Sequence, residues 1–302
     1  MANKKTAIKV IVLFFVSVLV LFMLIKHIDV TRIKLLFLEA NIIYFIIAVF
    51  VFCFISYLSS SRFSTVIELS GYKLNILKSW SYVLAVHPVH LFIPSNAGEL
   101  WKSYFLKDNV KYSHSIGCIF VEKLFDVLAL SILGLIGSIL LKHYIWMILF
   151  FIMLNAIIIF FMIVPKLNLN YEIKLIKKIM NILDVFDILL KKPKIIFLLF
   201  IKSLIIWTLF IFIIFILFNS INYKIYFPYI MVVYPVSKII GLIPLTIGGI
   251  GTRDAAFVYF FNTYDISQEA SLIVSLSYFV ITYILPSVFG FPFTIYYLFK
   301  ES

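Results

Sequence analysis

Charge is scarce in this chain. Only 13% of its 302 residues are Asp, Glu, Lys or Arg, while 64% are hydrophobic. Soluble domains carry about a quarter charged and half apolar residues, so this composition excludes a water-soluble globular fold. Cysteine is nearly absent. Cys53 and Cys118 both lie inside apolar runs, which excludes a disulfide-stapled secreted scaffold and a zinc module. The strict alternation of barrel strands is also missing, because the apolar runs exceed the ~18 residues of a spanning helix. What remains is an all-α polytopic membrane protein. Its net charge of +12 then reads as membrane orientation and contact with anionic lipid at the cytoplasmic surface, with no nucleic acid as partner.

Six runs are long enough to cross a bilayer as continuous helices: 7–25, 41–58, 115–141, 144–164, 195–217 and 267–299. No small-residue cleavage site follows the first, so it is expected to stay as a transmembrane helix. Two further apolar regions are interrupted. Residues 79–106 are broken at Pro88 and again from Pro94 to Gly98. Residues 226–261 are broken at Pro244 and at Gly248, Gly249 and Gly251. Breaks at membrane depth free backbone groups that lipid cannot satisfy, so they need cover from protein or a watery cavity. Both regions are read as re-entrant hairpins. With that layout 16 loop Lys and Arg fall on the cytoplasmic side and five outside, as the positive-inside rule demands.

The layout implies one membrane domain over 1–302 with an internal symmetry. Repeat one spans 7–141 and repeat two 144–299, each with three crossings and a hairpin. An odd number of crossings turns the second repeat upside-down, an inverted-repeat arrangement common among transporters. Between them, 165–194 is a Lys-rich cytoplasmic segment. Within it Ile176, Ile179, Met180, Leu183, Phe186 and Leu190 recur at helical spacing, which fits an interfacial amphipathic helix or a helix packed on the bundle end.

A few charges remain at membrane depth, where each needs a partner or water. Glu99 and Lys102 follow the first break; Lys238 precedes the second; Arg253 and Asp254 follow it. Glu122, Lys123 and Asp126 sit on the third helix, Glu122 and Asp126 on one face. Lys202 lies near a helix end and can snorkel, Ser59 to Arg62 closes helix two, and Trp80, Trp101, Trp146 and Trp207 fit interface anchors. Each break also starts a half-helix whose free N–H groups favour anions, so phosphate is the natural guest. Arg253 is expected to pair with Glu99, Glu122 or Asp126 rather than Asp254, which points about 100° away along a helix. His87 and His90 are too few for a metal site; no metal and no cofactor is expected.

Three segments carry a resemblance. Pro94–Lys102 fits P-x-x-x-G-E-x-x-[RK], Glu122–Asp126 fits E-[RK]-x-x-D, and Pro244–Asp254 fits P-x-x-x-G-G-x-G-x-R-[ED]. In this order they resemble the flippase-like family, the transmembrane region of lysylphosphatidylglycerol synthases and its stand-alone relatives. Lys123 stands where that family usually has arginine, and Asp254 where it has glutamate. The resemblance implies movement of a lipid with an anionic or glycosylated headgroup between leaflets, in cell-envelope lipid or lipid-linked glycan metabolism. No aminoacyl-transferase segment follows Phe299 here, so lipid lysylation is not expected. Two alternatives stay open: a membrane transferase acting on a lipid-linked sugar or phosphate, and a scaffold for a synthase or glycosyltransferase partner.

The layout predicts a cell-membrane protein with both termini cytoplasmic. Cysteines placed at Asn168 and Asn222 should react with an impermeant thiol reagent from opposite sides. Labelling of both from outside would end this topology.

Overall fold

A computed structural model describes residues 30–91, 93, 95–163, 183–243, 246 and 251–299. The run 7–25, most of 165–194, and Pro94, Pro244, Gly248 and Gly249 lie outside the described residues.

Every regular element among the described residues is helical. That follows from the apolar runs, because only a helix satisfies its own backbone in lipid. A short α1 (Val30–Leu38) leads into α2 (Ile42–Ile67), capped by the Asn41 side chain, which accepts from the Ile43 amide at 2.9 Å. Then come α3 (Ile76–His90), capped by Asn75, a 3₁₀ turn (Ser95–Leu100) and α4 (Trp101–Phe105). The long α5 (Tyr112–Leu140) and α6 (Tyr144–Ile163) follow. After a helix over 183–190, α7, come α8 (Pro193–Ser220), α9 (Phe227–Ile240) and α10 (Thr252–Asn262). The chain ends in α11 (Gln268–Phe279), a π-helical turn (Val280–Ile284) and α12 (Leu285–Phe299).

Four stretches are long and apolar enough to cross a membrane: Ile42–Ser70, Tyr144–Ile163, Pro193–Ser220 and Gln268–Phe299. On α6 only Phe150 and Ile157 are buried, so nearly all of this helix offers apolar surface, as a lipid-facing helix must. The two interrupted regions are helix–break–helix units, α3 with α4 and α9 with α10, and the arms of each pack against one another.

One expected boundary fails, and one open alternative is decided. Helix two does not stop at Leu58. It runs on to Ile67 and takes Arg62 into the protein interior at 5% exposure, because Ser59, Ser60 and Ser61 are small enough to face neighbouring helices. Arg62 is therefore not a cytoplasmic loop charge. In the Lys-rich segment, Leu190 is exposed, whereas Val185, Phe186 and Leu189 are buried. Phe186 meets the rings of Phe120, Phe160 and Phe161. Over 183–190 this is a helix packed on the bundle.

The principal packing partners are α2 with α8, α3 with α12, and α5 with both α6 and α9. They bury two apolar cores, one built around Phe63, Tyr82, Ile119 and Phe186, the other around Ile55, Leu133, Ile214, Tyr234 and Phe261. Helices α2, α5 and α8 each contribute to both cores. Between the two contributions each carries polar residues: Ser56 to Arg62, Glu122 to Asp126, and Lys202 with Ser203. The bundle thus has a polar middle layer.

The α3–α12 contact is very close. At Gly290 a Cβ would overlap the Leu84 backbone carbonyl, and nearby Thr294 Oγ1 donates to the Ala85 carbonyl at 2.8 Å. Gly290→Ala should therefore push the helices apart and lower stability by about 1–3 kcal/mol, the usual cost of overpacking. Thermal unfolding in detergent would read this, with Val288→Ala, at a 66% exposed neighbour, leaving the midpoint nearly unchanged.

Candidate functional site

Helix α5 sets the site. Glu122 and Asp126 are one turn apart and project from one face, and Arg62 of α2 bridges them. Its Nε donates to Glu122 at 3.1 Å, and its Nη1 to Asp126 at 2.5 Å and to Ser203 Oγ at 2.8 Å. Only a guanidinium reaches two carboxylates with fixed, diverging donors in this way. Lys102 Nζ lies 3.3 Å from Glu122 and also pairs with Glu99. Lys123 Nζ lies 3.4 Å from Glu99 and 3.2 Å from Asp126.

These contacts close on themselves. Arg62, Glu122, Lys102, Glu99, Lys123 and Asp126 form a ring in which every charge touches two of opposite sign. Five of the eight charged residues expected at the site are thus brought together: Glu99, Lys102, Glu122, Lys123 and Asp126 share one network with Arg62. The ring carries no net charge, which is how so many ionised groups remain buried. It also binds the 3₁₀ turn and α4 to α5 and α2.

Gly98 belongs to this structure for a packing reason. A Cβ there would overlap the His90 imidazole, whose Nε2 lies 4.0 Å from Glu99. The glycine lets the turn seat Glu99 against α3.

The ring forms one wall of a cavity of about 120 Å³, room for several waters or a small polar headgroup. His87 and His90 line a second side; Phe52, Trp207, Phe210 and Tyr278 add aromatic surface; Lys238 and Tyr283 complete it. A larger groove of about 270 Å³ runs along α5 past Ile116, Ile119, Phe120, Val127 and Leu130 to Leu100 and Leu242. It is mostly apolar. Glu99, Lys123, Asp126, Trp207 and Lys238 line both spaces, so the polar cavity and the apolar groove meet at these side chains.

Arg253 and Asp254 do not line the cavity. Contrary to expectation they pair with each other, Arg253 Nε and Nη2 reaching Asp254 Oδ1 at 3.1 and 2.6 Å. The long arginine folds back across its neighbour, which the helical-wheel angle alone does not anticipate. Asp254 also accepts from Ser275 Oγ at 2.6 Å and, as helix cap, from the Gly251 amide at 3.0 Å. The Arg253 guanidinium lies over the rings of Tyr278, Phe279 and Tyr283. Tyr278 and Tyr283 also border the cavity, and so connect the two clusters.

Several participants carried weak signals in the sequence. Arg62 looked like a loop cation, although three preceding serines at a helix end are a signature of tight helix contact. Trp207 is no interface anchor; it is buried and donates to Asp126 at 2.8 Å. Tyr283 sits on the π turn, a feature that propensity does not announce. Lys202 bonds to Ser61 and Thr65 rather than reaching away from the bundle. Among the described residues no three His, Cys, Asp or Glu side chains are grouped to hold a metal ion.

A helical membrane protein with a charge-lined internal cavity is the class these features define. Residues 7–290 match the family described as the lysylphosphatidylglycerol synthase TM region, and the chain belongs to that family. It is similar to two proteins of Methanocaldococcus jannaschii. UPF0104 membrane protein MJ1595 is 22% identical over 93% of this chain and 92% of its own length. UPF0104 membrane protein MJ1078 is 26% identical over 67% of this chain and 91% of its own length.

Removing Arg62 should be far more damaging than losing an exposed ion pair. Arg62→Met leaves Glu122 and Asp126 buried with one cation fewer, a loss of about 3–5 kcal/mol. Adding Asp126→Asn to it should cost less than the two single losses summed, because the carboxylate left without its arginine is then neutral. Detergent unfolding of the two singles and the double checks this; simple additivity would mean that the ring does not act as a unit.

Proposed function

We propose that the protein translocates a lipid with an anionic or glycosylated headgroup between membrane leaflets. One observation carries this reading: a polar cavity inside the bundle opens into an apolar groove along α5. A lipid has the same two parts. Moving its headgroup through hydrocarbon is prohibitive because charge at the bilayer centre is costly. A cavity lined by fixed charges and aromatic faces replaces the lost water while the chain stays in an apolar track. Membership of the lysylphosphatidylglycerol synthase TM family supports a lipid-related role.

An inverted repeat with two re-entrant hairpins underlies this activity. The packing supports it. Exchanging the halves turns the α3–α12 contact into α9–α5 and leaves α2–α8 unchanged. The letters support it too, since Tyr82-x₃-Val86-x-Pro88-Val89 recurs as Tyr229-x₃-Val233-x-Pro235-Val236. Two related gates around one cavity allow access to alternate between leaflets. In this reading Glu99, Lys102, Glu122, Lys123, Asp126 and Lys238 handle the headgroup, and Arg253 with Asp254 fixes the second gate. The protein would reside in the cell membrane with both termini cytoplasmic.

The transferase alternative has less behind it. Glu99, Glu122 and Asp126 are each held by two cations, an arrangement that suits an acceptor better than a proton donor.

Purified protein in vesicles should expose a fluorescent phospholipid of the inner leaflet to an impermeant reductant added outside, without nucleotide or activated donor. Protein-free vesicles should keep that inner pool. Retention of the pool with protein present, or a change in the lipid's mass, would overturn the translocase.

A further inference from the structure

We infer that Lys238 holds the substrate's anionic group, and that the cavity is matched to a headgroup bearing one negative charge, as a phosphodiester does. This deepens the lipid-translocation reading and rests on it.

The ring cations are already engaged. Arg62, Lys102 and Lys123 each bond two carboxylates. An anion drawn to them would also meet the carboxylates that flank each one, so its attraction there is largely cancelled. Lys238 differs. Among the described residues it has no carboxylate within 4.0 Å. Its ammonium donates to Tyr283 Oη at 2.9 Å and lies 5.7 and 5.5 Å from the ring centroids of Trp207 and Tyr283. An ammonium has three donors, so this geometry leaves two for a ligand. Aromatic faces help to keep the charge at depth without an anion, and a half-buried cation at membrane depth with no carboxylate partner among the described residues is the mark of a ligand site.

The charge count gives the specificity. With His87 and His90 neutral, the six ring residues sum to zero, Arg253 cancels Asp254, and Lys238 contributes +1. A monoanion neutralises the cavity; a diphosphate over-fills it and would repel Glu99, Glu122 and Asp126. Position agrees with charge, because Lys238 lines both the polar cavity and the apolar groove. A phosphate at Lys238 lies at the junction where an attached chain can leave along α5.

The test titrates the intact protein in detergent with phosphatidylglycerol, a polyprenyl diphosphate, and chainless glycerophosphoglycerol, following tryptophan fluorescence near Trp207. Phosphatidylglycerol should bind at least tenfold tighter than either of the others. Lys238→Gln should lose at least tenfold for phosphatidylglycerol, and Lys238→Arg should keep most of it. Glu99→Gln adds one positive charge to the cavity and should shift preference towards the diphosphate. Thermal unfolding reports whether each variant is folded; should Lys238→Gln fail to fold, the wild-type preference and Glu99→Gln still decide. Wild-type affinity in a folded Lys238→Gln, or wild-type preference for the diphosphate, overturns the inference. Equal binding of the chainless headgroup removes the groove from it and points to a free phosphate ester as ligand. Lipid transport without preference for anions overturns this inference alone, whereas selective binding without transport overturns only the translocase.

Discussion

The Arg62 guanidinium between Glu122 and Asp126 is the contact on which the interior depends. Two carboxylates one helical turn apart, inside a bundle destined for lipid, are untenable unless a cation meets both. Arginine does so with donors that diverge at fixed angles. Once Arg62 is there, Lys102 and Lys123 have defined carboxylate oxygens left to face, and Glu99 closes the chain of contacts between them. The break after α3 is thereby held by electrostatics where regular backbone pairing is lost.

Such a ring offers little net stability over a well-packed apolar core. What it offers is an interior that is polar without being charged overall. Every member is preorganised by its neighbours, so the cavity presents fixed dipoles where water would otherwise reorganise. Stability and the electrostatics of the cavity therefore draw on the same residues: weakening the ring loosens the turn that carries Glu99 and Lys102, and also changes the charge that the cavity presents.

The second break is managed differently. Asp254 caps α10 and holds its neighbour Arg253, whose guanidinium packs among Tyr278, Phe279 and Tyr283. The π turn places Tyr283 between this arginine and Lys238. One break is tied into the ring, the other into an aromatic cluster, and Tyr283 relates that cluster to the cavity. The two breaks are thus held by different chemistry, ion pairs at one and a capped, ring-packed arginine at the other.

The sequence by itself determined the class. Apolar runs too long for a soluble core, two glycine- and proline-marked breaks, and a few charges at depth on their flanks and on the third helix follow from the chemistry of a chain in lipid, and the three motifs were enough to identify the family. It also named most of the ring, because ionised groups at depth are rare enough to be conspicuous. Only the tertiary structure decided which charges meet. Arg62 is one of several basic residues near a helix end until α2 is seen to continue and turn it inward. Arg253 has four carboxylates in plausible reach until its side chain is seen to fold onto Asp254. Lys238 stands apart only when every other cation at the cavity has its partners. The contacts that tie one element to another at the ring join residues 20 to 141 positions apart, and no local pattern encodes those.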